Sequence, residues 1–113
     1  MARIGIYVPK FQRLGDEKLL LPLDDKIIRR ETLQICKKLT KLCGGCTAID
    51  VMGYYEFPDG FFSEAPTMEI YCFCEDMLVG KVADALKPLM TDLRLKLAQN
   101  SIGMYINDKF VEI

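Results

Sequence analysis

Apolar and polar residues alternate from Arg3 to Val8, with Ile4, Ile6 and Val8 on one side and Arg3, Gly5 and Tyr7 on the other. That period of two predicts a half-buried strand. Pro9 ends it, because proline cannot donate to a ladder. Residues 10–23 then read as a loop whose Leu19-Leu20-Leu21-Pro22-Leu23 stretch packs over a core edge or meets a partner. The period changes at Ile28, Thr32, Ile35, Leu39 and Leu42, one stripe of a helix. Asp24 or Asp25 is placed to cap it, and Gly44-Gly45 to stop it. Arg29, Arg30, Lys37, Lys38 and Lys41 fall mostly off the stripe, as a solvated face or an anion contact. Two further strands follow, residues 46–55 and 67–74, joined by a loop from Glu56 to Pro66 that carries the turn signal Pro58-Asp59-Gly60. Asp76 is placed to cap a second helix, with Val79, Val82, Ala83, Leu86, Met90, Leu93 and Leu97 as its stripe. Pro88 is expected to kink or split that helix, and Asn100 to cap its end. Residues 101–106 repeat the character of residues 3–8. Asn107-Asp108 then turns the chain into a last strand, Lys109 to Ile113.

The order β-α-β-β-α-β, plus a short C-terminal strand, predicts an α+β fold of the ferredoxin-like, split βαβ type. It places one antiparallel sheet under two helices on one face. At 113 residues the chain reads as a single domain, 1–113. Half the residues are apolar and 27% are charged, which favours a packed core over disorder. A net charge of −1 supplies no basic field to draw in nucleic acid. No apolar run is long enough to span a membrane, and the opening residues read as a strand rather than an export signal, so the expected location is cytoplasmic.

If Ile4, Ile6, Val8, Ile49, Val51, Ile70 and Cys72 face the helices, the other face collects Gly5, Tyr7, Ala48, Met52, Tyr54, Tyr71, Phe73, Gly103 and Tyr105. That face is too apolar to stay wet. Three covers are open: a second copy of the chain, single-stranded RNA stacked on Tyr7 and Tyr71 or Phe73, or a small molecule beneath the sheet. Glu69 and Glu75 flank the aromatics and would repel phosphates, which argues against RNA. Phe57, Phe61 and Phe62 beside the hairpin turn either fold back on the domain or bury against a subunit or a ligand.

The chain has five cysteines and no histidine. The odd cysteine count fits free thiols better than a disulfide framework. Cys43 and Cys46, with Cys72 and Cys74, invite a metal reading. Setting Tyr55 opposite Pro66 puts Cys46 on the face away from Cys72 and Cys74, which opposes it. Ordinary packing is the expectation, with metal binding or redox chemistry at Cys43 and Cys46 as alternatives. Without histidine an acid–base site would need carboxylates such as Glu56, Asp59 and Glu64 around the loop. No phosphate-binding, dinucleotide or serine-nucleophile motif is present, and no catalytic or metal-ligating residue stands out.

Residues Gly45-Cys46-Thr47-Ala48-Ile49-Asp50-Val51-Met52-Gly53-Tyr54, then 68–73 leading into the second helix, resemble the glycine-x-threonine strand and following segment of the PII-like and CutA-like superfamily. The closing residues 105–113 resemble that family's final segment. The resemblance implies a homotrimer with the aromatic face, Tyr7, Tyr71, Phe73 and Tyr105, buried inward. It also implies a small-molecule cleft between subunits along Gly45, Thr47 and Gly53, continued by Tyr54, Phe57, Phe61, Phe62 and Glu64. The family's glycine- and lysine-rich phosphate loop is missing at residues 96–101, so no cofactor or nucleotide is named. The expectation is a non-enzymatic, regulatory, ligand-binding oligomer, trimer before dimer. The alternative is a small oligomeric enzyme of dimeric α+β barrel type, working beneath the sheet with Tyr7, Tyr54 or Tyr105 and a loop carboxylate.

Overall fold

Ile4, Ile6 and Val8 are completely buried, because the strand that carries them lies in the middle of the sheet. The computed structural model describes residues 1–13, 20–99 and 101–113. β1 spans Ala2–Pro9; a small hairpin of β2 (Phe11–Arg13) and β3 (Leu20–Pro22) follows, then helix α1 (Asp25–Cys43). The hairpin of β4 (Thr47–Glu56) and β5 (Phe62–Cys74) leads to α2 (Val79–Lys96), and β6 (Gly103–Ile106) and β7 (Lys109–Glu112) close the chain. The main sheet runs β4-β5-β1-β6-β7, all antiparallel. This is the ferredoxin-like plan with one appended strand. Ile4, Ile6, Val8, Ile70, Cys72, Cys74 and Met104 pack against Ile28, Ile35 and Leu39 of α1 and Val82, Leu86, Met90 and Leu93 of α2.

The caps follow the chemistry of the sequence in part. Asp24 accepts a hydrogen bond from the Lys26 amide at 2.8 Å. Gly44 takes the left-handed conformation, φ 87°, and its amide returns to Thr40. Asp76 does not cap the second helix. Its carboxylate lies 3.4 Å from the Met1 amino nitrogen, and a 3-10 turn over Asp76–Leu78 leads into α2. Helix α2 continues through Pro88 rather than dividing there. The β2–β3 pair was not foreseen within the expected loop. Leu19 of that apolar stretch, and the Asn100 cap, lie outside the described residues.

The hairpin corrects the expected pairing. Tyr55 faces Ser63, and Thr47 faces Tyr71, three residues away from the anticipated register. The turn is shorter than expected: Phe57 donates to Phe61 at 2.8 Å, the Asp59 carboxylate accepts from the Phe61 amide, and Gly60 adopts φ 86°. Pro66 therefore lies inside β5. Its carbonyl accepts from the Lys10 amide past the end of the β1 ladder, on the side where no ladder donor is required. An odd register shift exchanges the two faces of β4. Thr47, Ile49, Val51, Gly53 and Tyr55 lie on the face away from the helices, and Ala48, Met52 and Tyr54 on the other, the reverse of the expectation.

Replacing a fully buried β1 side chain removes contacts that the sheet cannot close over. Ile6→Ala is expected to cost about 2–5 kcal/mol in urea unfolding, whereas Met77→Ala, at a position 83% exposed, should stay within about 0.5 kcal/mol.

Candidate active site

The sheet face away from the helices carries a buried carboxylate, Glu69, among its aromatic residues, while Glu112 of β7 lies exposed on the same face. Glu69 lies in the interior strand β5, opposite Tyr7 on β1 and Ile49 on β4, and is only 8% exposed. A carboxylate this buried must be paired and hydrogen-bonded to remain charged. Arg3 supplies the pairing: its Nη2 donates to Glu69 Oε2 at 2.8 Å. The Tyr105 hydroxyl donates to the same oxygen, and Arg3 Nε donates to the Tyr105 hydroxyl at 3.0 Å. Three adjacent strands thus close a triangle of charge-assisted hydrogen bonds, roughly twice as strong as neutral ones.

The backbone is shaped to permit this. Gly5 is directly opposite Tyr105, and a Cβ there would fall 2.5 Å from the Tyr105 hydroxyl oxygen. Gly103 makes the same room for Phe110, whose ring would lie 2.7 Å from an added Cβ. The two glycines let the Tyr105 and Phe110 rings lie close on the sheet, and Tyr105 reaches Glu69. The Arg3 guanidinium also stacks on Tyr71, 3.9 Å from the ring centroid.

Burial on β5 changes sides at this point. Ser63, Ala65, Thr67 and Glu69 are buried away from the helices, and Ile70, Cys72 and Cys74 toward them. Beside Glu69 opens a cleft of about 1140 Å³, walled by Tyr7, Val51, Tyr55, Phe57, Thr67 and Phe110 among others. That is at or above the usual size of a small-molecule site. Gln99 holds its rim, donating from Nε2 to the Phe11 carbonyl at 2.7 Å. A second hollow of about 430 Å³ lies by Arg3, Tyr105 and Asn107; Glu69, Tyr7 and Phe110 line both.

Burial, then the hydrogen bond to Glu69, pushes the Tyr105 phenol well above its ordinary value. Burial, then the Glu69 charge, also raises Tyr7. Hydrogen bonding to Tyr105, then to Glu69, raises Arg3, so the guanidinium stays protonated. Both bonds to the carboxylate end on Oε2, which leaves Oε1 with acceptor capacity. The arrangement can present a fixed, partly compensated negative charge to a ligand in an aromatic cleft. Among the described residues, no group of three or more His, Cys, Asp or Glu side chains is placed to hold a metal ion.

Of the sequence-derived candidates, Tyr7, Gly53, Tyr54 and Phe57 line the large cleft. Tyr105 and Tyr71 meet at Arg3, and Phe73 packs edge-on against Tyr71. Gly45 and Thr47 lie at the start of β4, outside the lining of either hollow. Phe61, Phe62 and Glu64 are at the hairpin end, where Phe62 stacks on Tyr54 and Phe61 meets Phe57. Arg3 and Glu69 were missed as a unit. The signal was there as a charged residue at an outward position of each of two apolar strands, Arg3 in β1 and Glu69 in β5. The buried carboxylate, Glu69, comes from a strand; of the expected loop carboxylates Glu56, Asp59 and Glu64, Glu56 also lines the large cleft.

Two solved structures share this fold over 99% of the chain: a phage SAM lyase in complex with S-methyl-5'-thioadenosine and a phage SAM lyase in the apo state. The first is 18% identical with 88% of its chain covered, the second 16% identical with 87% covered, each at a TM-score of 0.64. No family model matches the chain, and no curated protein matches it. These likenesses overturn the resemblance to PII-like and CutA-like proteins, and with it the non-enzymatic regulatory reading: both of these structures are of a SAM lyase. The short glycine-x-threonine stretch sits on a split βαβ plan that many families share, so it carried no family-level information. No helix among the described residues is long and apolar enough to cross a membrane.

The raised Tyr105 phenol has a consequence at high pH. The folded state holds the proton more tightly than the unfolded chain does, so its contribution to stability is complete below the ordinary value of 10.0 and is lost as pH rises above it. Thermal unfolding followed from pH 8 to 11 should therefore show stability falling above about pH 10. Tyr105→Phe should flatten that fall, and absorbance titration should show one fewer late-ionising tyrosine.

Proposed function

We propose that the protein is a small enzyme that cleaves S-adenosylmethionine, with the Glu69 cleft as its site. The observation that carries this reading is the buried Glu69 carboxylate, fixed by Arg3 and Tyr105 at the wall of a cleft with aromatic lining and ample room for a nucleoside. The likeness in fold to phage SAM lyases supports it.

The chemistry suits a chain without histidine. When a sulfonium loses its amino-acid arm, the carbon–sulfur electron pair stays on sulfur and a neutral thioether, S-methyl-5'-thioadenosine, departs. No proton donor is needed. The arm's own carboxylate closes on the carbon that lost sulfur, so no external base is needed either. Positive charge disappears along this path, which aromatic walls of low dielectric favour over water. Glu69 acts in recognition, by attracting the cationic substrate into the cleft. This is the enzyme alternative of the sequence reading, with Tyr7 and Tyr105 beside Glu69 and Tyr54 on the cleft wall.

The rest of the open face supports self-association as a trimer or dimer. Phe73 and Phe110 are more than half exposed, beside Tyr71. Five free cysteines suit the reducing cytoplasm.

Incubation of the pure protein with S-adenosylmethionine should release S-methyl-5'-thioadenosine, separated by chromatography, faster than a blank. Glu69→Gln should raise KM about 10- to 100-fold, the loss of a charged contact of about 1.5–3 kcal/mol, with a smaller change in kcat. A folded wild-type protein that releases no product above the blank would overturn the reading. Light scattering should give two or three times the chain mass of 12.9 kDa, and Phe73→Glu should lower it toward one; a monomeric wild type would contradict self-association.

A further inference from the structure

The five cysteines, three around the end of α1 and two in β5, gather at the end of the sheet where β4 begins and β5 finishes. Cys36 and Cys43 lie two turns apart on α1, Cys46 just precedes β4, and Cys72 and Cys74 point toward the helices from β5. They associate in contacts the sequence did not suggest. The close sulfur–sulfur contact is not between Cys43 and Cys46, although they have the spacing of a thiol pair and Cys43 also acts on Cys46. Cys72 Sγ instead lies 3.4 Å from Cys43 Sγ. Cys46 neighbours Cys36, and Cys74 neighbours Cys43.

The Cys43–Cys72 contact is short of a bond by about 1.4 Å, given a disulfide length of ~2.05 Å. Cys43 is the last residue of α1, followed by the left-handed Gly44, so the helix end can absorb such a shift. Cys43 is half-buried and within reach of a small molecule, whereas Cys72 is buried behind it. Burial, then the hydrogen bond with Cys43, raises the Cys72 thiol above its ordinary range. Cys72 therefore rests as a neutral thiol, and its reaction should quicken as pH rises.

We propose that Cys43 and Cys72 form an oxidisable dithiol that closes to a disulfide, stapling the end of α1 to β5, with a small-molecule disulfide as oxidant. Cys43 attacks one sulfur of the oxidant, giving a mixed disulfide and releasing one small thiol. Cys72 then displaces the second thiol. Two S–H bonds break and one intramolecular S–S bond forms; the protein loses two electrons and two protons, and the oxidant becomes two thiols. The staple closes a 29-residue separation, and a loop of that length restricts the unfolded chain strongly. It also anchors β5 three residues from Glu69.

The test uses the reduced full-length protein treated with oxidised glutathione, quenched with an alkylating agent and digested for mass spectrometry. The expected result is loss of two of the five free thiols, a Cys43–Cys72 linked peptide, and a Tm several degrees higher until a dithiol reductant is added. Cys43→Ser, at a half-buried position, should fold normally, give no such peptide and show no Tm rise. The same treatment in urea should scramble the linkages, showing that the folded geometry selects the pair. The proposal is overturned if the folded protein keeps both thiols free, stops at glutathione adducts, or links Cys43 to Cys74 or Cys46 instead.

Discussion

A carboxylate inside a sheet must be compensated or it will not stay there charged, and the site depends on how this chain meets that constraint. Glu69 is compensated by Arg3 and Tyr105, which are distant in sequence and adjacent only because β5 and β6 flank β1. The crossover order of the ferredoxin-like plan is thus a requirement of the electrostatics as well as of the core. Gly5 is part of the same arrangement, since any larger residue would displace the Tyr105 ring that completes the triangle. The open face, which would otherwise be a plain apolar surface, acquires a fixed negative centre beside a cleft.

The two faces of the sheet divide the labour. The helix side is a closed apolar core, with Ile4, Ile6, Ile70, Leu86 and Met90 fully buried, and supplies the bulk of the stability. The other side is underpacked, aromatic and partly exposed, which leaves it available for a ligand and for further copies of the chain. β5 serves both: its end faces the core through Ile70, Cys72 and Cys74, and its start buries Ser63, Ala65 and Thr67 on the opposite side. The change of side at Glu69 and Ile70 is what places the carboxylate where the core ends and the cleft begins.

Much of the fold was legible because periodicity reports it directly. The stripes Ile28 to Leu39 and Val82 to Leu97 are buried as their spacing requires, and β1 alternates as read. The hairpin register was not legible. Pro66 looked like a loop residue, yet a proline is admissible inside β5 because the neighbouring ladder has already ended there. One misplaced turn then assigned Tyr54 and Met52 to the wrong face of β4; the face beside Glu69 carries Val51 and Tyr55, although all four residues border the cleft. The triangle was illegible for a different reason: Arg3, Glu69 and Tyr105 are ordinary outward strand residues until the strand order is known. The short stretch around Thr47 reflected the common architecture rather than a shared family, and the structure keeps Gly45 and Thr47 out of the cleft.

A ligand bound beside Glu69 is the central requirement of this site. A crystal structure of the protein with S-methyl-5'-thioadenosine measures this. The thioether sulfur is expected in the aromatic cleft next to Glu69, with the adenosine along Val51, Tyr55 and Phe57. Density for the ligand elsewhere, with the Glu69 cleft filled only by water, would contradict it.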